Sequence, residues 1–440
     1  DHMEAIREIG GQANILWQVG FNPGGGSVCE TSTDGKGIQL GHPISSSTDA
    51  IRWKDIALNV LRHLNDGTKW DPKGKKYNVK FVEFMDDPYE RLGYQEGSSL
   101  DELFEAYLNF ASAVKAWWPD DVAPDDPDDT TPVIHVGGIS YTLSDVSDLE
   151  FARSADKHPL LQFIDFCEYH DTPLDFVSFR TRTEHPHEAA CIAGRLRAYL
   201  DDVGLTRTKL LVAGVEADVT GSKFNQIDAL SDDLYRSTYL GAFHAATRIF
   251  LQSPLDGAVC KYADDAGPAS WMIAGRVPRV FSDLKAHSGE DMVAIESLIV
   301  DSPFVEADGT AKPAFMSLFP FRQIANGHEM VSVTKGNDTQ GMAVLASHES
   351  SSGRVLHVII ANANIQDGNA DITYDLNLEK FVSTAKEVDY KLAVLDRGAV
   401  GHQSFHFSET GVIETGTGTM RFVHQMAVPS VHYIQFHKPE

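Results

Sequence analysis

Val82-Glu83-Phe84-Met85-Asp86-Asp87-Pro88 is an apolar run that ends in acid, and Leu210-Leu211-Val212-Ala213-Gly214-Val215-Glu216-Ala217-Asp218 is a second. Each reads as a buried strand that delivers a carboxyl group at its C-terminal end, which is how a parallel (β/α) barrel equips the face that carries its chemistry. Two such strands can set two carboxylates across one substrate bond, the arrangement that breaks glycosidic bonds.

Strand and helix signals alternate around these two runs. Residues 14–21 read as a buried strand feeding the loop Gly24-Gly25-Gly26, residues 51–64 have helical period, and residues 100–117 form the helix after the first acidic strand. Further strands are expected at 132–138, 175–180, 209–215 and 257–262, with a helix at 159–170. Six strands of this kind argue for a (β/α)8 TIM barrel whose first two strands lie upstream of residue 1. The opening residues 1–10 fit that expectation, since they read as the middle of an amphipathic helix closing on Gly10 and not as a signal peptide. Secretion stays open on this reading, because the true start of the chain is expected upstream.

Past residue 326 the pattern changes to short alternating strands with turn signals, at 342–347, 355–361, 370–376, 390–396, 411–414 and 431–437. That spacing predicts an antiparallel β-sandwich, so the expected domains are a barrel over 1–326 and a sandwich over 327–440.

Composition bounds the function. With 440 residues and 42% apolar content the chain can bury a large barrel core and an accessory core. Its net charge of −26 opposes contact with nucleic acid phosphates. No apolar run is long enough to span a membrane. Four cysteines, Cys29, Cys167, Cys191 and Cys260, show no paired spacing and read as buried free thiols. His185-Pro186-His187-Glu188 lacks a second ligand group at metal-site spacing and reads as a solvated loop. The acid-rich stretch 120–132 lacks the order of a calcium loop, and Gly24-Gly25-Gly26 lacks the Lys-Ser/Thr of a phosphate loop.

On these residues the chain resembles glycoside hydrolase family 39, the β-xylosidase and α-L-iduronidase family, over nearly all of its length. Residues 82–88 stand where that family has Glu-x-Trp-Asn-Glu-Pro, and Gly137-Gly138 matches its Gly-Gly. Leu174-Asp175-Phe176-Val177-Ser178 matches its Asp-Phe-Val-Ser strand, and Lys312-Pro313-Ala314-Phe315 its Lys-Pro-x-Phe. The resemblance implies a retaining glycosidase with Glu216 as nucleophile and the acid/base at Asp87, where the family has Glu; Asp86 replaces the preceding Asn. The Asp87 carboxyl reaches about 1.5 Å less far than a Glu carboxyl, one carbon–carbon bond, and catalytic positioning is sensitive on that scale. Glu83 reads as a structural partner for a barrel cation.

Arg180 and Arg182 stand where the family carries His and Tyr, and Lys261 where it carries Trp. Guanidinium forks pair bidentately with carboxylate or sulfate, so these cations predict an anionic sugar. Structural ion pairs with Asp86, Asp87, Asp264 and Asp265 are the alternative. Trp17, Tyr94 and Tyr262, with Tyr141 and Trp271 behind them, are candidates for stacking on sugar faces. The expected partners are an oligo- or polysaccharide and a second copy of the chain in a homo-oligomer, with no nucleic acid and no membrane span. No metal or organic cofactor is needed for this chemistry. The alternative function is a catalytically impaired relative that binds saccharide or serves as a structural subunit.

Overall fold

The computed structural model describes residues 15–19, 47–67, 76–86, 88, 98–119, 133–144, 146–149, 157–217, 233–252, 271–272, 312–324, 328–331, 333, 341–364, 372–382, 387–396, 406–414 and 420–438. Among these, six strands form one sheet in chain order: β1 (Ile15–Val19), β2 (Val79–Asp86), β3 (His135–Leu143), β4 (Phe176–Thr183), β5 (Lys209–Ala217) and β6 (Trp271–Met272). The pairings β1–β2, β2–β3 and β5–β6 are parallel. Parallel neighbours need crossovers, and helices supply them: α1 (Ser47–Asp66), α2 (Ser98–Trp117), α3 (Pro159–Tyr169), α4 (Glu188–Asp202) and α5 (Asp233–Gln252). This is a barrel-like α/β arrangement; six strands, not a closed ring of eight, are seen among the described residues. The strand expected at 257–262 lies outside them, whereas β6 was not anticipated.

The chain divides into two compact units: residues 1–180, 195–214 and 269–274 in one, and 181–194, 215–268 and 275–440 in the other. In the first unit the layering follows from which residues alternate. Phe84 turns towards the helices, with its ring centroid 4.9 Å from Trp53, 5.4 Å from Tyr107 and 5.8 Å from Phe110. Phe81 turns to the other face, stacking on His135 at 5.1 Å and meeting Phe176 at 6.4 Å. Side chains alternate along a strand, so Glu83 shares the face of Phe81.

Polar clasps fix the N-terminal ends of these strands. The Asn65 side-chain amide donates to the Val79 carbonyl at 3.1 Å and accepts from the Val79 N–H at 2.7 Å, doing for β2 what a neighbouring strand would do. Asp175 accepts from the Val136 N–H at 2.7 Å and pairs with Lys115 at 2.8 Å, while Lys115 also donates to the Ile134 carbonyl. The Asp of the Asp-Phe-Val-Ser segment is therefore a structural residue at the end of the sheet away from the carboxylate segments.

In the second unit a six-stranded antiparallel sheet runs in the order β12-β11-β14-β9-β8-β7, comprising β7 (His328–Val331), β8 (Met342–Glu349), β9 (Val355–Asn362), β11 (Glu387–Leu395), β12 (Phe407–Glu414) and β14 (Ser430–His437). A two-stranded sheet, β10 (Ile372–Asn377) with β13 (Arg421–Met426), closes a core with it around Leu356, Val358, Ile360, Leu392, Phe422, Ile434 and Phe436. The opposite face of β8, β9 and β14 packs against α5. Short helices α6 (Pro313–Met316), α7 (Phe319–Gln323) and α8 (Glu379–Val382) complete this unit. Gly241 of α5 lies against α6, where an added Cβ would come 3.0 Å from the Pro313 carbonyl oxygen. β7, β13 and α5 were not anticipated from the sequence.

Two expectations are corrected. Cys167 is free and buried, but Cys191 is disulfide-bonded. The segment 185–188 is not a solvated loop: Pro186 and His187 are buried, and the His187 ring lies 6.0 Å from Phe250 of α5. Among the described residues no helix is long and apolar enough to cross a membrane.

Candidate active site

The two acid-tipped segments end β2 and β5, at the C-terminal ends of strands in one sheet, with β3 and β4 between them in strand order. The tip of β2 is irregular. Met85 takes a φ of 55°, a left-handed conformation rare for a long side chain, immediately before Asp86. Pairing with β3 passes over it, from Phe84 opposite Gly138 to Asp86 opposite Ser140. Such backbone costs about 1–3 kcal/mol and collects where a site requires it.

Between these tips, β3 and β4 approach very closely. An added Cβ at Gly137 would stand 2.2 Å from the Phe176 carbonyl oxygen and 2.6 Å from its ring, so the ring of Phe176 fills the space a side chain would need. Gly138, with φ at 106°, is equally confined by the backbone of Phe84. The Gly-Gly pair thus lets strands carrying large aromatic residues pack at ladder distance.

Alternation along β4 puts Phe176, Ser178, Arg180 and Arg182 on the face turned away from the helices. The Arg180 stem reaches sideways onto β5, its Cγ 3.8 Å from the Cβ position of Gly214. Gly214 precedes Glu216 by two residues in β5. The Arg180 Nε is shut off from solvent, and Glu83, 0% exposed, lies on the same face of β2. Among the described residues the buried Ser178 hydroxyl has no hydrogen-bond partner. On this face Glu83, Ser178 and Arg180 bury polar atoms beside the apolar Phe81, Phe176 and Val212, and both Glu83 and Arg180 engage other groups.

Of the anticipated site residues, Arg180 and Arg182 are half-buried on β4, and Trp17 is half-buried on β1. Asp86 and Glu216 are described in backbone only, while Asp87, Tyr94, Lys261 and Tyr262 lie outside the described residues. Tyr141 is core, 2% exposed and edge-on to His158 at 5.6 Å, so it offers no open stacking surface. His187, read from the sequence as part of a solvated loop, is buried. Burial, reinforced by the neighbouring His185, pushes its imidazole down to about 4, so it is neutral and structural near neutral pH. Among the described residues no group of His, Cys, Asp and Glu is arranged to hold a metal ion.

No family model and no curated sequence matches the chain. Among solved structures it is similar to a glucosidase from Croceicoccus marinus, at 18% identity over 100% of this chain and 81% of that one, with a TM-score of 0.62. It is also similar to the bacterial orthologue of human α-L-iduronidase, at 11% identity over 92% of this chain and 68% of that one, with a TM-score of 0.52. N2152 from Neocallimastix frontalis gives a TM-score of 0.51 at 10% identity, over 88% of this chain and 76% of that one. At such identities the likeness is one of fold, and site chemistry has to be argued from this chain's own residues.

Proposed function

We propose that this protein is a retaining glycoside hydrolase, related to glycoside hydrolase family 39, that acts on an acidic or otherwise substituted saccharide within a barrel domain spanning 1–326. The observation that carries the reading is Arg180 on β4, whose stem lies beside Gly214 of β5, two residues before Glu216 in sequence, in a fold shared with a glucosidase and an iduronidase orthologue. A barrel interior is ordinarily filled with apolar layers, whereas β4 turns Ser178, Arg180 and Arg182 to the face directed away from the helices, and a guanidinium fork pairs bidentately with a carboxylate or sulfate.

In this scheme the Glu216 carboxylate attacks the anomeric carbon as the glycosidic C–O bond breaks, and the protonated Asp87 gives its proton to the leaving oxygen. Asp87, now ionised, takes a proton from water, whose oxygen attacks the anomeric carbon and frees Glu216. Arg180, Arg182 and Lys261 hold the anionic substituent, and Trp17, Tyr94 and Tyr262 stack on sugar faces. A second reading, a saccharide binder that has lost turnover, is favoured by Asp87 itself, the shorter acid where the family has Glu.

Activated aryl glycosides separate the two, because their leaving groups need little protonation. A panel of uronic acid, xylose, arabinose and galactose glycosides is expected to give a burst and a mass increase of one glycosyl group on Glu216, absent in Glu216→Gln. Saccharide binding without burst, trapped adduct or turnover across the panel would leave only the binder.

A further inference from the structure

Helix α5 is enclosed on nearly every side. From Thr238 to Leu251 each residue is buried except Leu240 and Arg248, which are half-buried, and α6 and the strands β8, β9 and β14 pack against the helix. Arg248 is the one Lys, Arg, Asp or Glu in that stretch, and Ala245, Ile249 and Leu251 around it are buried and apolar. Among the described residues its guanidinium meets no counter-charge. The Nε is shut off from solvent and has no hydrogen-bond partner there, and no carboxylate acts on the group.

A histidine so placed escapes by giving up its proton, as His244 does one turn earlier: burial first and Arg248 second push that imidazole down to about 3. Arginine has no such escape. Burial pushes Arg248 down only to about 10, so it stays charged at neutral pH, and a buried charge left uncompensated is strongly destabilising.

We propose that Arg248 anchors an anion site against α5 that takes one small oxyanion, a sulfate, phosphate or carboxylate. The donor geometry selects this class. The enclosed Nε and the Nη beside it form one edge of the guanidinium fork, and two oxygens of a single anion fill that edge with parallel hydrogen bonds. A halide has one atom to offer both. His244 and Arg248 are four residues apart and share a face of α5, and the His244 Nε2 is likewise shut off from solvent. A neutral imidazole with its proton on that nitrogen supplies a third donor. The net charge of −26 repels anions at long range, so affinity rests on these contacts and not on a general basic field. Neither Arg180 nor Arg182 takes part.

Equilibrium dialysis of the full chain against labelled sulfate at constant ionic strength, with urea denaturation over the same sulfate range, tests the site. Saturable binding is expected, and the folding equilibrium constant should rise about tenfold by a sulfate concentration of about ten times the Kd. Arg248→Met, apolar and of similar length, is expected to lose both, while the general salting-out effect of sulfate acts on both proteins and cancels in the comparison. Arg248→Lys keeps the charge without the fork and should bind about tenfold more weakly, the loss of one charged hydrogen bond. Arg180→Ala is expected to leave this binding in place, so the site and the hydrolase reading fail separately. Competition by glucuronate distinguishes the sources: displacement of the sulfate assigns the site to sugar acids as well, and none confines it to the inorganic ion. Absence of saturable sulfate binding in the wild type, or equal binding in Arg248→Met, would overturn the proposal.

Discussion

Gly137 and Gly214 are both strand glycines in the first unit, yet alanine at each has opposite expected effects. At Gly137 the new methyl would meet the Phe176 carbonyl oxygen at 2.2 Å and ring carbons at 2.6 and 2.7 Å. Backbone and a packed ring cannot both yield, so β3 and β4 must part by roughly 1 Å or more to restore ordinary contact. Overpacking of this kind costs about 1–3 kcal/mol, with the upper end expected when the obstruction is main chain. At Gly214 the nearest atom is Arg180 Cγ at 3.8 Å, an ordinary contact, and alanine there lowers the entropy of the unfolded chain by about 0.4–1 kcal/mol. The two variants should therefore differ by roughly 2–4 kcal/mol. Urea denaturation followed by fluorescence is the assay, with Trp53 reporting from the aromatic cluster around Phe84. If Gly137→Ala is as stable as the wild type, or less perturbed than Gly214→Ala at unchanged m, the packing argument for the Gly-Gly segment fails.

Acid should destabilise the second unit. Burial is the main force pushing His187 down to about 4 and His244 and His432 down to about 3, so between pH 6.5 and those values the unfolded chain binds protons that the folded chain refuses. Stability is then complete above pH 6.5 and falls as the pH drops, by on the order of 1.4 kcal/mol per histidine per pH unit. Urea midpoints that stay level or rise from pH 6.5 to 4.5 would contradict this. For specificity, Arg180→Ala and Arg182→Ala should weaken an anionic substrate by about 10–150-fold, as expected for a charged hydrogen bond worth about 1.5–3 kcal/mol, and a neutral analogue far less. Equal losses in kcat/KM on both substrates would remove the anionic sugar while leaving the hydrolase reading intact.

The long apolar runs were legible because burial on two faces leaves a continuous signature: Leu210 to Val215 reads as a strand in any context. His328-Glu329-Met330-Val331 carries no such signature, and it is a strand only because β8 offers it a ladder. His187 looked solvated because its sequence neighbours are polar; what buries it includes Phe250, more than sixty residues further on. The same limit governed the site. Sequence position nominated Arg180, yet the contact that directs it, its stem laid over Gly214, depends on a missing side chain in another strand. Alternation alone does not say which face of β2 carries Glu83, and the ring of Phe81 beside His135 and Phe176 decides it. Glu83, Ser178 and Arg180 all desolvate polar atoms on one side of a sheet whose other side is packed with Trp53, Tyr107 and Phe110. Burying such atoms is tolerable where they are paired, and both Glu83 and Arg180 do engage other groups, partners that only the folded chain brings to them and that no stretch of sequence around either residue announces.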